Sequence, residues 1–163
     1  PQLDIVFINA GYGKFAPLSA VDEQHFDQQF DVLVKGSFFT VQQVLPLIKS
    51  GGSIILNTSV VTEMGMPGAS VYSAAKSAVK SLVKTFAAEL IGQGIRVNAV
   101  SPGPIQTNFF ESTGMNQEQI EGFAQNILST LPIKRFGKPE AVAKVVRFLA
   151  SDEASFLVGT EVY

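Results

Sequence analysis

Three short apolar runs constrain what this chain can fold into: Leu3–Ile8, broken only by Asp4, then Ile54-Ile55-Leu56 within residues 53–58, and residues 95–100. Runs of this length, with too few polar positions to alternate, are those of strands buried on both faces of a parallel sheet. Longer stretches with helical spacing separate them. Residues 19–49 read as a short helix and a longer one, with Phe38, Val41, Val44, Leu45 and Ile48 on one stripe and Pro46 closing it. Ser50-Gly51-Gly52 is a turn. Residues 71–91 carry a stripe through Ala75, Ala78, Val79, Leu82, Phe86 and Leu90, ended by Gly92 or Gly94. A long polar stretch, 102–130, contains one short helix over 116–128. Pro139 opens a last helix that runs to Ala150, and 160–163 looks like a strand cut short. Strand and helix alternate, so the fold class is α/β with a parallel sheet, organised as one domain over 1–163.

Composition narrows the function classes. Hydrophobic residues make up 46% of the 163 and charged residues 16%, enough for a large core. The net charge of −2 supplies no basic excess for a nucleic acid or an anionic membrane surface, so neither is expected as a partner. No apolar run has the length of a membrane span. The absence of cysteine excludes disulfides, thiolate metal sites and a cysteine nucleophile, and suits a reducing cytoplasm. One histidine, His25, leaves no His-rich metal cluster. It is expected on a solvated helix face, without a function.

In open parallel sheets ligands bind beyond the carboxyl ends of the strands. The segments leaving those ends are 9–13, 59–68 and 101–107. Beside the second of them, Tyr72 and Lys76 stand four apart on a helix, so their side chains share a face. An ammonium close to a phenol favours the phenolate and lowers the tyrosine pKa from about 10, which suits a general acid/base. Ser59 leaves a strand end, where a hydroxyl can hold a substrate oxygen. Each signal alone is weak. A Tyr-x-x-x-Lys pair arises by chance in roughly one such chain in six, and serines at strand ends are usually caps or turns.

Their order along the chain is more telling. Asn9-Ala10-Gly11, Val34-Lys35-Gly36, Ser59, Tyr72-Ser-Ala-Ala-Lys76, Arg96-Val-Asn-Ala-Val-Ser-Pro-Gly103, Thr107, Arg135-Phe-Gly-Lys-Pro-Glu140, Phe148-Leu-Ala-Ser-Asp152 and Gly159 span the whole chain, with Ser59 thirteen positions before Tyr72. In this pattern the sequence resembles the classical short-chain dehydrogenases/reductases. Its nearest pattern is the group of 3-oxoacyl-carrier-protein reductases and small polyol or sugar dehydrogenases. The resemblance implies a Rossmann-like doubly wound sheet and NAD- or NADP-dependent exchange of a carbonyl and a secondary alcohol, with a small carbonyl or alcohol molecule as substrate. Tyr72 would exchange the proton, Lys76 would lower its pKa and hold the nicotinamide ribose, and Ser59 would bind the substrate oxygen. Pro102, Gly103, the backbone of Ile105 and the hydroxyl of Thr107 would fix the nicotinamide ring. Asn9, Ala10 and Gly11 would sit near the ribose and diphosphate. Asn98 is expected to be structural. A homodimer or homotetramer is implied, with small residues Ala74, Ala75 and Ala78 permitting close helix approach.

Two departures accompany the resemblance. Leu33 stands where the family usually has an asparagine whose main-chain carbonyl holds a water near the lysine, so the helix must open there for that role to survive. The family's Gly-rich phosphate turn is absent, and with it the residue that separates NAD from NADP. The chain is therefore expected to be the catalytic part of a longer protein and inactive by itself. Phe109, Phe110, Met115 and Phe123 could line an apolar substrate pocket or pack as core. The rival readings are a non-catalytic binding or regulatory module and a self-associating fragment.

Overall fold

The computed structural model describes residues 2–163. Four parallel strands lie side by side in chain order: β1 (Leu3–Ile8), β2 (Ile48–Asn57), β3 (Arg96–Val100) and the short β4 (Glu161–Val162). Parallel neighbours need a crossover. Here α1 (Glu23–Phe30) and α2 (Gly36–Val44) lead to β2, α3 (Ser70–Leu90) leads to β3, and α4 (Gln117–Thr130) and α5 (Pro139–Ala150) lead to β4. Among the described residues, no helix is long and apolar enough to cross a membrane.

Strand alternation sorts the core into two layers. Ile54, Leu56, Val97 and Ala99 face α2 and α3, where they meet Val41, Val79, Val83, Phe86 and Leu90. Ile55 and Val100 point the other way and pack with Leu149, Val142 and Val146 of α5. Helices on both faces make the sheet doubly wound. Polar groups on the α5 side are matched one by one. Arg96, buried, donates to the carbonyls of Leu149 (2.9 Å), Ser151 (3.1 Å) and Ala154 (3.1 Å), which terminate α5 and the turn after it. Asn98, fully buried, donates to Leu157 O at 2.8 Å and accepts from Thr160 N at 3.0 Å, pinning the approach to β4.

Three expectations change. β1 is an edge strand paired only with β2, and Ile5 and Phe7 are 51% and 38% exposed rather than buried on both faces. The helix on that face, α5, packs chiefly over β2 and β3. Ile48 closes no helical stripe; it begins β2, and Gly51-Gly52 form a bulge within that strand, where Leu3 pairs with Ile48 but Ile5 pairs with Ser53. The two helices of 19–49 are also nearly continuous, joined by a π turn at Asp31–Lys35. That turn opens the helix at Leu33, whose carbonyl accepts from Ser37 Oγ at 2.6 Å.

The segment between β3 and α5 leaves and rejoins the body at one neck. Ile105 bridges Gly137, Gln106 N donates to Gly137 O, and Gly137 N donates to Pro104 O, both at 2.9 Å. A Cβ at Gly137 would stand 2.6 Å from Ile105 Cδ1, so a larger residue there would have to push the Ile105 side chain aside.

Candidate active site

The carboxyl ends of β1, β2 and β3 open onto one cavity of about 760 Å³. Ser59, Tyr72 and Lys76 line it together with Asn9, Gly11, Pro102, Gly103, Ile105 and Thr107. Of the residues assigned to catalysis or the cofactor from the sequence, Ala10 is the one outside that lining, exposed on the loop after β1. Of the four apolar residues considered for the substrate pocket, Phe109, Phe110 and Phe123 border the cavity and Met115 does not.

Each central side chain is placed by its local fold. Ser59 has an extended backbone at the end of β2 and caps the 3-10 turn Val60–Glu63, its Oγ accepting from Val61 N at 3.4 Å. Val60 N donates to Pro102 O at 3.2 Å, which ties the loops after β2 and β3 to each other. Tyr72 and Lys76 lie on the first turns of α3 and are both buried. Lys76 Nζ is 5.9 Å from the Tyr72 ring centre and donates to the main-chain carbonyl of Asn57 at 2.7 Å. The Ser59 hydroxyl is near enough to the Tyr72 phenol to favour its ionised form slightly.

Burial dominates the electrostatics. It pushes the Tyr72 phenol up to about 12, against a smaller downward pull from the Ser59 hydroxyl. The sequence pointed the opposite way, to a phenol lowered by Lys76; spacing supplies the neighbour but not the loss of water around both groups. Burial also brings the Lys76 ammonium down from 10.5 to about 8. Between those two pH values the unfolded chain binds more protons than the folded one. Stability therefore rises with pH across that window, and the cost of the buried charge is present in full below it. That cost is on the order of 3 kcal/mol at neutral pH, partly offset by the bond to Asn57. Lys76→Met is expected to raise the melting temperature at pH 7 by about 3–6 °C, with the gain shrinking toward pH 10. Calorimetry at several pH values checks this; a variant melting below the parent at pH 7 would refute it.

Several groups await a polar ligand. Asn57 Oδ1, on a residue that lines the cavity, is buried without a hydrogen-bond partner, a condition natural folds rarely leave uncorrected. The Lys76 ammonium has three donors and spends one on Asn57. Thr107 Oγ accepts from Phe109 N at 3.3 Å, leaving its own hydrogen to donate. At Gly11 a Cβ would stand 2.8 Å from Leu33 Cδ2 and 4.0 Å from Lys76 Nζ, so glycine keeps this wall thin. These features fit a hydroxyl-rich ligand lying across the strand ends.

His25 is not on a solvated face. It is 5% exposed, and Gln29 Nε2 donates to His25 Nε2 at 2.9 Å. Gln29 also exchanges hydrogen bonds with the backbone of Lys14, at 3.1 Å each way. The His25 and Gln29 face, one helical turn apart, thus braces the loop that carries Gly11 and Gly13. Nothing in the spacing of the short helix announced it, because the partner is a loop backbone rather than another apolar stripe. Phe15, on that same loop, was also missed. Its ring packs edge-on to Tyr72 at 5.8 Å.

Comparison with known proteins gives this arrangement its context. A family model described as Enoyl-(Acyl carrier protein) reductase matches residues 1–163. The 3-oxoacyl-(acyl-carrier-protein) reductase FabG of Thermotoga maritima is 42% identical over 160 residues, which is 97% of this chain and 63% of that protein. Oxidoreductase asL5 of Sarocladium schorii is 40% identical over 163 residues, 99% of this chain and 64% of that protein. The crystal structure of angucycline C-6 ketoreductase LanV with bound NADP matches at a TM-score of 0.89 and 30% identity, over 99% of this chain and 60% of that one. The chain thus spans a little under two thirds of the length of these relatives. Matched along its whole length in sequence and in fold, the chain belongs to the short-chain dehydrogenase/reductase family.

Proposed function

We propose that this chain carries the proton-transfer centre of an NAD(P)-dependent oxidoreductase that interconverts a carbonyl and a secondary alcohol. The observation that carries the reading is the convergence of a buried Ser59, Tyr72 and Lys76 on one cavity at the strand ends. When bound, the nicotinamide cofactor supplies or accepts the hydride. Lys76 would offer its remaining hydrogens to the ribose hydroxyls, and Thr107, Pro102 and Gly103 would border the ring. Ser59 holds the substrate oxygen beside the Tyr72 phenol. Tyr72 gives its proton to that oxygen as negative charge develops there, and takes it back in the reverse direction.

The parts of the dinucleotide site present here serve the nicotinamide half. A Gly-rich phosphate turn is not among them, so the chain alone is expected to bind dinucleotide weakly and to turn over little. The experiment is a fluorescence titration of NADH and NADPH, on this chain and on one extended upstream to the length of the relatives. Binding by the extended chain only, with carbonyl-dependent oxidation of the bound cofactor, supports the reading. Tight binding by this chain alone would overturn the assignment of the missing phosphate site. No binding by either would favour a non-catalytic module.

A phenol held up to about 12 is protonated throughout the neutral range. Carbonyl reduction, which uses the phenol as a donor, is therefore expected to stay level from pH 6 to 8. Alcohol oxidation, which needs the phenolate, should climb nearly tenfold per pH unit over the same range. Steady-state rates in both directions check this, and a level oxidation profile would contradict it.

A further inference from the structure

We infer that the substrate of this site is an uncharged ketone with a ring-sized apolar group beside its carbonyl. The inference rests on the proposed oxidoreductase reading and concerns the walls around Tyr72.

Those walls are aromatic and aliphatic. Phe15 and Phe109 lie 5.8 Å and 5.7 Å from the Tyr72 ring, and Phe123 lies 6.2 Å from Phe15. Val61, Met64 and Met66 complete the same part of the cavity. Phe15, Phe109 and Phe123 are half-buried, and the cavity is bordered by all three, so they serve as walls as well as packing against one another. Half-buried rings around a void leave apolar area for a ligand to cover, at roughly 25 cal/mol per Å². Rings also favour offset or edge contacts with another ring.

Charge and polarity decide against the alternatives. Among the described residues lining the cavity, Lys76 alone is charged, and its ammonium is already engaged by Asn57 at the floor. A carboxylate or phosphate placed among Phe15, Met66 and Phe123 would lose its water without a partner, which is costly. A polyhydroxy chain would meet the same problem several times beside Phe15, Val61, Met66 and Phe123, while the polar lining comes from Asn9, Asn57 and Thr58 at the strand ends and from Tyr12, Thr107, Asn108 and Thr130 on the segments around them. The single polar group this part of the cavity accommodates is the carbonyl itself, at Ser59 and Tyr72.

The test uses the upstream-extended protein with NADPH or NADH, whichever it binds, and matched ketones. 4′-Methylacetophenone and 4′-acetylbenzoate differ by one charge at nearly constant shape; dihydroxyacetone stands for polyols, and the N-acetylcysteamine thioester of 3-oxobutanoate for carrier-bound acyl groups. The expected result is a kcat/KM for 4′-methylacetophenone about 100-fold above the carboxylate and the polyol, and above the thioester. Equal or better turnover of any of those three would overturn the inference while leaving the oxidoreductase reading intact. If no ketone is reduced and the bound cofactor is stable, the reading itself fails and the inference with it. A charge variant adds an independent arm. Phe123→Lys, or Met64→Lys at a more exposed position, should raise 4′-acetylbenzoate turnover at least 10-fold relative to 4′-methylacetophenone, with the dinucleotide Kd unchanged. A ratio that does not move in either variant argues that the substrate lies elsewhere in the cavity.

Discussion

Tyr72→Phe is expected to lower carbonyl reduction by the extended protein by about 10²–10⁴-fold, the range a positioned proton donor contributes. The ring is retained, so its contacts with Phe15 and Phe109 survive and the fold should not suffer. Removing the hydroxyl also frees the Ser59 partner, which can still hold a substrate oxygen. KM for the ketone should therefore change by less than about threefold while kcat collapses, the pattern of an interaction made in the transition state. Turnover within about fivefold of the parent would sink the assignment of Tyr72 and leave the family membership untouched. This variant also separates the enzyme from a binding module, which has no use for a phenol beside a buried ammonium.

The second large effect lies far from that chemistry. Arg96→Met is expected to cost about 3 kcal/mol of stability, because three carbonyls at the end of α5 and in the turn after it, two of them in buried bonds, lose a charged donor together. At this chain size the melting temperature should fall by about 6–12 °C. Arg96→Lys should recover less than half, since an ammonium cannot reproduce a planar fork reaching Leu149, Ser151 and Ala154 at once. Thermal unfolding of the three proteins decides the matter, and a Met variant within 2 °C of the parent would contradict the role given to Arg96. The same carbonyls hold α5 over the sheet, so the loss should also loosen the packing of Val142 and Val146 on Ile55.

The sequence was most legible where a single physical signal fixed an element. Pro139 at the head of an apolar stripe placed α5 over Pro139–Ala150, and the stripe from Ala75 to Leu90, closed by glycine, placed α3 to within a residue. Spacing and a strand end made Ser59, Tyr72 and Lys76 only weak candidates; their order along the chain, which resembles the family pattern, singled them out, and the fold brings all three to one cavity. What escaped depends on partners distant along the chain. The π turn at Leu33 leaves the hydrophobic pattern almost unchanged, so it read as a break between two helices. The burial of His25 depends on Gln29 reaching the backbone of Lys14, a contact that no periodicity carries. The raised phenol of Tyr72 likewise depends on how much water the folded walls exclude. The openness at Leu33 is a matter of backbone geometry, whereas the bond to its carbonyl requires the Ser37 hydroxyl.

The neck at Ile105 and Gly137 bears on how such a pocket can change over time. Hydrogen bonds there close the intervening segment before either end reaches β3 or α5, so the entropy of closure is met at the neck itself. Doubling the length of what lies between adds only about 0.6 kcal/mol. The roof of the cavity, with Phe109, Phe110 and Phe123, can therefore be exchanged as a cassette between two fixed splice points, while β2 and α3, which position Ser59, Tyr72 and Lys76, keep their places. Exchange between these two positions would alter the substrate walls and spare Ser59, Tyr72 and Lys76, provided the new segment keeps a hydroxyl at the Thr107 position.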